Sequence, residues 1–448
     1  MISLNAPLSG GLHSTPVAPR VSWTHVATTN HDWAEAAFVV AAQEMRNKFQ
    51  LVTIAAMLEM FPAKPGMPQI KRSPLVDMVH TAKREVDMYE PWVSCLRLSH
   101  HLPAYNGLQM KLMKDFLSDG WEMVNSSSSP DNDTASIFGN TAIKPVISGY
   151  SKGPRRTKPC DARDMDFFVE FKSCEGDEPF STKETEVLEL TSHAASDTRG
   201  QCTLYHNAIQ ASQQRTRVFS CYIRRQYCRL MCHSRAGTLV TPLFDYTTTS
   251  HLQFFLWRFS HANDEQRGFD TTFQPILDRS RFSKDVFTKL QLTEESPLYT
   301  VGVVGPASKP SEFYVSKPFT ASHDFPVGRG TRCFSAYDPI TKKVVLLKDT
   351  WRIASYTPEG EMYEKLHRSE VPNIPTVLAH GDVPGKLQIC EIEDPNGTRR
   401  RLIHYRIVLD VIGKSLNTFS STHELVTAVR DALIGLLGCF FETLVELT

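Results

Sequence analysis

The sequence predicts an α+β protein with three consecutive regions: a helical N-terminal region, a mixed α/β middle domain, and a C-terminal lobe with an antiparallel sheet and one helix. Three observations lead to this prediction. Apolar residues recur at three-to-four spacing before residue 124, strand-like and helix-like segments alternate over residues 161–297, and short strands prevail over residues 298–448. A chain of 448 residues is long enough for two or three such domains.

The composition is that of an ordinary globular protein without a charge bias. Lys and Arg together number 49, as do Asp and Glu, so the formal net charge is zero and nucleic acid is not an expected partner. The ten cysteines form no CxxC pair, which favours reduced thiols and a cytoplasmic or nuclear location. The apolar stretch 433–447 contains two glutamates and is shorter than the roughly 20 residues of a membrane helix, so no membrane partner is expected.

The N-terminal part is predicted to be a disordered tail over residues 1–20 followed by a helical region over residues 21–124. Three segments carry the helical pattern: 32–61, 73–98 and 107–124. The next stretch begins with a run of Ser, Asp, Asn and Pro over residues 125–136, which cannot bury apolar area. Residues 125–160 are therefore predicted to be a linker or exposed loop.

The middle domain, residues 161–297, is predicted to combine strands and helices with short loops. Residues 166–173 are expected to form a strand, an amphipathic helix opens near Thr198, and residues 217–234 form a hairpin. Three residues of metal-ligand type cluster in this hairpin: Cys228, Cys232 and His233. They lack a second ligand pair at zinc spacing, so packing within a strand is the expectation.

A second interpretation of the middle domain is catalytic. Polar side chains with the spacing of a nuclease site occur in it: Asp161, Asp166, Glu170, Lys172, Gln201 and Tyr205. The pattern resembles PD-(D/E)xK nucleases, in which an aspartate and a glutamate bind magnesium and the lysine activates water. Glu170 and Lys172 share one face of a strand, but charged residues between phenylalanines are also ordinary in a half-buried strand. A nuclease site at Asp161, Glu170 and Lys172, and a nuclease-like fold used as a scaffold, both stay open.

The C-terminal lobe contains a glycine turn followed by two strands. Gly328 and Gly330 allow the backbone to lie against a phosphate, and Lys348 ends the return strand 20 residues after Gly328. A helix follows that carries Glu361, 13 residues beyond the lysine. An inward lysine that holds phosphates and pairs with a helix glutamate is typical of a kinase nucleotide site.

Roughly residues 160–435 resemble the fungal-type protein kinase domain family. The resemblance is strongest in GRGTRCFSAYDPITKKVVLLKDTWR, EGEMYEKLHRSEVPNIPTVLAHGDV and HYRIVLDVIGKSLNTF, and upstream in DMDFFVEFKS and GFDTTF. It implies a kinase-like small lobe behind an α/β extension. Gly328 and Gly330 then belong to the nucleotide loop, Lys348 binds phosphate, and Glu361 is its partner.

The resemblance also implies an adenine pocket and a hinge. Leu409 would lie at the back of the pocket, and Asp410, Val411 and Ile412 would form the hinge whose backbone pairs with the base. ATP is thus the implied cofactor, with magnesium only if ATP binds.

The sequence departs from a kinase in two ways. Cys333 stands where a third loop glycine is expected, and no HRD-like or DFG triplet occurs in the 448 residues. Phosphoryl transfer depends on the catalytic aspartate and the magnesium ligands of those triplets. We therefore predict a truncated lobe over residues 298–448 that binds ATP weakly at most and is inactive in phosphotransfer, with no catalytic or metal-binding residues assigned.

A lobe without its larger partner lobe is expected to leave apolar surface exposed. The last helix, opening at Thr422, places Leu433, Leu436 and Leu437 on such a surface. This surface is the expected contact for protein partners. The alternative to nucleotide binding is a non-catalytic interaction module that uses the helical N-terminus and the α/β domain to bind a partner.

Overall fold

The computed structural model describes residues 30–67, 82–96, 117–118, 120–136, 141–151, 158–183, 186–279, 284–293, 295–305, 310–320, 325–413 and 416–445. Eight α-helices and sixteen strands lie within these residues, and the strands form two sheets. The general α+β class is thereby confirmed. The predicted tail over residues 1–20 and much of the helix candidates 73–98 and 107–124 lie outside the described residues.

The N-terminal region is helical but is interrupted by one strand. Its elements are α1 (Asn30–Glu44), β1 (Phe49–Leu51), α2 (Ile54–Glu59) and α3 (Tyr89–Leu96). The prediction of an uninterrupted helical pattern over residues 32–61 is wrong at β1, because Phe49 pairs in parallel register with Thr238 of a later strand. Tertiary pairing overrides the local helical preference there. Thr53 begins α2, since its hydroxyl accepts a hydrogen bond from the Ala56 N–H at 3.1 Å.

The first sheet belongs to the middle of the chain. Its further strands are β2 (Trp121–Asn125), β3 (Ile147–Ser151), β4 (Phe167–Lys172), β5 (Arg217–Arg224), β6 (Tyr227–Ser234), β7 (Thr238–Val240) and β8 (Phe244–Asp245). The order is β1-β7-β6-β5-β4-β3-β2, with β8 paired to β6. Helix α4 (His193–Ser212) connects β4 to β5, which run parallel, whereas β2, β3 and β4 are antiparallel. Helix α5 (His251–His261) contributes Phe255 and Phe259 to the core beside Phe167 and Phe219.

Two sequence predictions are wrong in this sheet. Residues 125–160, predicted to be a linker or loop, contain the buried strand β3, and the end of the predicted helix 107–124 is strand β2. Polar residues of this segment can be buried because their hydroxyl groups form hydrogen bonds inside the protein. Ser126 Oγ lies 2.8 Å from Ser148 Oγ and donates to the Pro145 carbonyl at 2.7 Å. Buried polar side chains cost little when they are paired in this way.

The second sheet is antiparallel throughout. Its strands are β9 (Phe273–Pro275), β10 (Tyr299–Val304), β11 (Pro310–Val315), β12 (Arg332–Asp338), β13 (Lys343–Ile353), β14 (Val377–Asp382), β15 (Ile389–Glu393) and β16 (Arg399–Leu409). The order is β14-β16-β13-β12-β11-β10-β9, with β15 paired to β16. Helix α6 (Lys284–Lys289) precedes β10, α7 (Glu359–Arg368) lies between β13 and β14, and α8 (Thr422–Val445) follows β16.

A buried ionic network joins the two sheets. Asp270 lies in a segment whose backbone pairs with residues next to β5, since the Asp270 N–H donates to the Gln214 carbonyl at 2.9 Å. Arg406 of β16 donates to Asp270 at 2.7 Å and to Asp349 of β13 at 2.9 Å. All three charged side chains are buried. Removing one partner of such a network typically costs about 3–5 kcal/mol, so the two sheets are expected to unfold together.

Helix α8 packs through its small residues. A Cβ at Gly438 would lie 2.7 Å from Val371, and a Cβ at Gly435 would lie 3.3 Å from the Pro372 carbonyl. On the other faces Leu433, Leu436 and Leu437 are exposed, as the sequence predicted. Within the described part of the chain, no helix combines the length and the apolar character required to cross a bilayer.

Candidate functional site

An ion pair between a central strand and a helix start is the core of the candidate site. Lys348 lies on β13 between Cys333 of β12 and Ile407 of β16. Its Nζ is 2.8 Å from Oε1 and 2.7 Å from Oε2 of Glu359, the first residue of α7. Both side chains are about three-quarters buried. The lysine is thus held in one place at the floor of a cleft.

Glu361, predicted to be the partner of Lys348, does not occupy that position. It is exposed, and the carboxylate that binds Lys348 belongs to Glu359. Side chains two positions apart on a helix point in directions about 200° apart, so Glu359 and Glu361 cannot face the same strand. Pro358 directly precedes α7. Since proline favours the start of a helix, it was the sequence signal that could have identified Glu359.

The start of α7 is fixed by a tyrosine and a histidine. The Gly360 N–H donates to the Tyr405 hydroxyl at 2.8 Å, and this hydroxyl lies 3.0 Å from His380 Nδ1. Burial raises the pKa of Tyr405, which keeps the hydroxyl protonated. A Cβ on Gly360 would overlap the His380 ring. The sequence analysis missed Gly360, Tyr405 and His380, which together place Glu359 against Lys348.

The glycine turn packs against the middle domain. Gly328 and Gly330 have φ values of 92° and 47°, which favour glycine. The Gly328 N–H donates to the Arg235 carbonyl at 2.7 Å, and a Cβ on Gly330 would overlap the Arg235 guanidinium. Burial lowers the pKa of Arg235 to about 10. Gly330 therefore makes room for Arg235, and the Gly328 N–H is not free to bind a phosphate.

The predicted hinge lies at the end of β16. Leu409 is buried and pairs with Leu346 and Val377. The Asp410 N–H donates to the Thr376 carbonyl at 3.0 Å, and the Thr376 N–H donates back to the Asp410 carboxylate at 2.9 Å. The backbone donor of Asp410 is therefore already used.

The two hinge residues that follow Asp410 have a different environment. Val411 and Ile412 are exposed, with 47% and 39% of their surface accessible. None of the residues from Leu409 to Ile412 lines the cleft that contains Lys348.

That cleft has a volume of about 790 Å3. It is lined by Arg329, Lys348, Thr350, Arg352, Ile353, Ser355, Tyr356, Thr357, Glu359, Met362 and Tyr405. The Arg352 guanidinium is neutralised by two hydrogen bonds of 2.6 Å to Asp382. Lys348, Arg329 and Glu359 leave a net charge of +1, which suits an anionic ligand.

A second polar group lies in the middle domain. Lys172 Nζ donates to Glu170 Oε1 at 3.0 Å and to Gln201 Oε1 at 2.9 Å, and Gln201 Nε2 donates to the Tyr205 hydroxyl at 2.8 Å. Glu170 Oε2 is buried and accepts no hydrogen bond. Burial raises the pKa of Glu170 and the carboxylate of Glu85 adds to the rise, while Lys172 opposes it.

Asp161 and Asp166 do not join Glu170 and Lys172. Asp161 binds the Arg163 side chain at 3.0 and 2.8 Å, and Asp166 accepts from the Ser151 N–H and hydroxyl at 2.8 and 2.9 Å. Asp166 directly precedes β4, so four residues of extended chain, about 13 Å, separate it from Glu170. Asp161 is bonded to Arg163, and Lys172 is bonded to Glu170 and Gln201, so the hydrogen bonds of the described residues do not join the predicted triad of Asp161, Glu170 and Lys172.

Two other residue groups with metal-ligand chemistry have structural roles. Asp270, Asp349 and His404 have ligand atoms within 4.8 Å of one another. However, Arg406 binds both carboxylates, and cationic neighbours hold the pKa of Asp349 well below its usual value although burial opposes this. We infer a salt-bridge network there.

The cysteine cluster of the hairpin likewise forms no ligand set. Cys228 and Cys232 lie in the apolar core, whereas His233 contacts Thr238 Oγ1 at 2.7 Å and the Pro326 carbonyl at 3.0 Å. Neighbouring residues of a strand point to opposite faces. The prediction that these residues pack within a strand agrees with this arrangement.

These features define a class of protein. An antiparallel sheet with a lysine on a central strand, paired with a glutamate of the helix that follows this strand, is the arrangement of a protein-kinase nucleotide lobe. A family model described as fungal protein kinase matches residues 164–396, just over half of the chain. The chain belongs to this family, which confirms the family predicted from its sequence. No curated protein and no solved structure matches the chain.

Proposed function

We propose that this chain binds ATP, or a closely related nucleoside triphosphate, in the cleft beside Lys348. The observation that carries the proposal is the ion pair of Lys348 with Glu359, at 2.7 and 2.8 Å, on the floor of a cationic cleft. In protein kinases a lysine in this position holds the α- and β-phosphates, and the glutamate orients it. Magnesium would accompany the nucleotide and neutralise phosphate charge.

We further propose that these 448 residues do not transfer the phosphoryl group. No HRD-like triplet supplies an aspartate to the substrate hydroxyl, and no DFG triplet supplies a magnesium ligand. The predicted hinge is expected to contribute little to adenine binding, because the Asp410 N–H already donates to Thr376 and none of residues 409–412 lines the cleft. The affinity then rests on the phosphates, so nucleotide binding is expected to weaken as salt increases.

Calorimetric titration with Mg-ATP tests the site. The wild type is expected to bind, and Lys348→Met is expected to lose binding. Lys343→Met is the matched control, because Lys343 is exposed at the start of the same strand, which runs to Ile353 and so does not end at Lys348 as predicted. Equal binding by wild type and Lys348→Met would show that the site is wrong. Measurable autophosphorylation by the purified chain would contradict the proposed inactivity.

A metal-dependent nuclease in the middle domain is the second candidate. One observation favours it: Glu170 is buried beside Lys172 and keeps an oxygen without a hydrogen-bond partner. A magnesium ion bound there would activate water for attack on a phosphodiester, with Glu170 and Glu85 as the carboxylates at hand. Lys172 would hold and orient the Glu170 carboxylate.

Assays with single- and double-stranded DNA and RNA, in magnesium and in manganese, test this candidate. Cleavage is expected to disappear in Glu170→Gln, a variant of nearly unchanged shape. Glu122→Gln is a control, because Glu122 is an exposed residue of strand β2 in the same sheet. Absence of cleavage of all four substrates by the wild type would eliminate the nuclease.

A further inference from the structure

Arg329, between the two glycines of the turn, has a fixed backbone. Its carbonyl accepts a hydrogen bond from the Trp351 N–H at 2.8 Å and from the Thr350 hydroxyl at 3.2 Å. Both partners belong to β13, the strand that carries Lys348. The position of the Arg329 Cα relative to Lys348 is therefore set by the sheet.

The side chain of Arg329, in contrast, is only loosely held. It is 51% exposed, and its Nη2 lies 3.6 Å from Glu359 Oε2. A charge-assisted hydrogen bond is about 2.7–2.9 Å long, so this contact is electrostatic only. Arg352, the other arginine of the cleft, is bound to Asp382 through two hydrogen bonds of 2.6 Å. Of the two guanidinium groups, Arg329 has the donors to offer a ligand.

Two cations share one carboxylate in this cleft. Glu359 binds Lys348 through both of its oxygens and has Arg329 as a more distant second cation. An incoming phosphate would replace the long contact of Arg329 by short, charge-assisted hydrogen bonds, and it would balance the excess positive charge. The Gly328 N–H of the turn cannot bind this phosphate as well, because it donates to the Arg235 carbonyl.

We propose that Arg329 is a second phosphate-binding residue of the cleft, which contacts the phosphates beyond the first and so selects nucleoside di- and triphosphates over monophosphates. This inference rests on the proposed nucleotide binding. The planar guanidinium would bind two oxygens of a terminal phosphate, while Lys348, held by Glu359, binds the phosphates nearer to the nucleoside. A ligand with a single phosphate cannot occupy both positions.

Calorimetric titration with ATP, ADP, AMP and inorganic tripolyphosphate tests the proposal. Arg329→Gln is expected to weaken binding of ATP and tripolyphosphate about tenfold, the loss of one strong charge-assisted interaction, and to leave AMP binding unchanged. Arg401→Gln is the matched control. Arg401 is 52% exposed, its Nε lies 3.7 Å from Glu391, and it does not line the cleft.

The outcomes separate the two proposals. If Lys348→Met loses ATP and Arg329→Gln binds like the wild type, the role of Arg329 is wrong and the nucleotide site stands. If Arg329→Gln weakens the binding of ATP and of AMP equally, Arg329 does not distinguish nucleotides by their number of phosphates, and the inference fails. If the wild type binds none of the four compounds, or if Lys348→Met binds them unchanged, the proposed function itself fails. The thermal unfolding of ligand-free Arg329→Gln should match that of Arg401→Gln, which shows that the fold is intact.

Discussion

Each of the two sheets carries a lysine–glutamate pair, and the surroundings of these two pairs differ. In the middle domain both residues come from strand β4, and Glu170 is 2% exposed with one oxygen unpaired. In the second sheet Lys348 comes from a strand, Glu359 comes from a helix start, and Glu359 is 26% exposed with both oxygens bonded. The lysines are nearly equally exposed, at 20% and 22%. A lysine–glutamate pair is thus held by a buried carboxylate in one sheet and by a partly exposed carboxylate in the other.

Removal of each lysine should produce the largest difference between the two pairs. Lys172→Met leaves a buried carboxylate without its cation, and we expect the free energy of unfolding to fall by about 3 kcal/mol. Lys348→Met leaves Glu359 in contact with water and Arg329, so a loss below about 1 kcal/mol is expected. Urea unfolding of both variants measures the difference. Equal losses would show that burial does not distinguish the pairs.

The helix start that positions Glu359 gives the next largest effect. Gly360→Ala would push the helix away from His380, and we expect a loss of about 2 kcal/mol in stability together with weaker ATP binding. The matched control is Gly176→Ala, because a Cβ at Gly176 meets no atom within 4 Å. Thermal unfolding and ATP titration of both variants provide the test. Wild-type behaviour of Gly360→Ala would mean that the contact with His380 does not set the position of α7.

A further prediction concerns Glu170 of the first pair, whose titration is expected to make the free energy of unfolding depend on pH. Its pKa is raised in the folded protein, so the folded state keeps a proton that the unfolded chain loses above the ordinary value of 4.5. The free energy of unfolding should therefore decline as pH rises from 4.5 through the raised pKa, by up to about 1.4 kcal/mol per pH unit. Glu170→Gln removes this contribution. Urea unfolding at several pH values checks it, with Glu361→Gln as the exposed control; parallel curves for wild type and Glu170→Gln would refute the expectation.

The smallest expected effect concerns the partner of Lys348. Glu359→Gln frees the lysine from its carboxylate, and we expect about fivefold weaker ATP binding, equivalent to about 1 kcal/mol, because the ammonium is no longer oriented. Glu361→Gln should bind ATP like the wild type, since Glu361 points away from the strand. Titration of both variants tests which glutamate matters. A larger effect of Glu361→Gln on ATP binding would indicate that Glu361, the partner predicted from the sequence, orients Lys348.

Local patterns predicted most of the strands around the candidate site. Strands β12, β13 and β16 and helix α7 could be predicted from the sequence. Each shows the hydrophobic periodicity of its type of secondary structure and has a turn residue at its end. The order and spacing of Gly328, Lys348 and the helix glutamates also led to the correct family.

Contacts between distant segments could not be predicted in the same way. The burial of β3 depends on hydroxyl groups 22 residues apart, Ser126 and Ser148, which pair with each other. The partner of Lys348 depends on where α7 begins, which Tyr405 fixes from 45 residues away. The role of the glycine turn depends on Arg235, a residue of the turn between β6 and β7 of the other sheet. Each of these is a tertiary interaction that produces no periodic pattern in the sequence.

The contacts of Arg235 determine where the chain can be cut into fragments that keep their structure. Its guanidinium donates to the Gly328 carbonyl at 3.2 Å and to the Phe325 carbonyl at 3.3 Å, so the middle domain supplies part of the support of the turn. Asp270 supplies a buried counter-charge to Arg406 from the same side. A fragment cut at residue 298 would carry the lysine and the glutamate but would lose both supports. Such a fragment is expected to aggregate on expression, whereas a fragment that keeps residues 117–448 retains both partners of each contact.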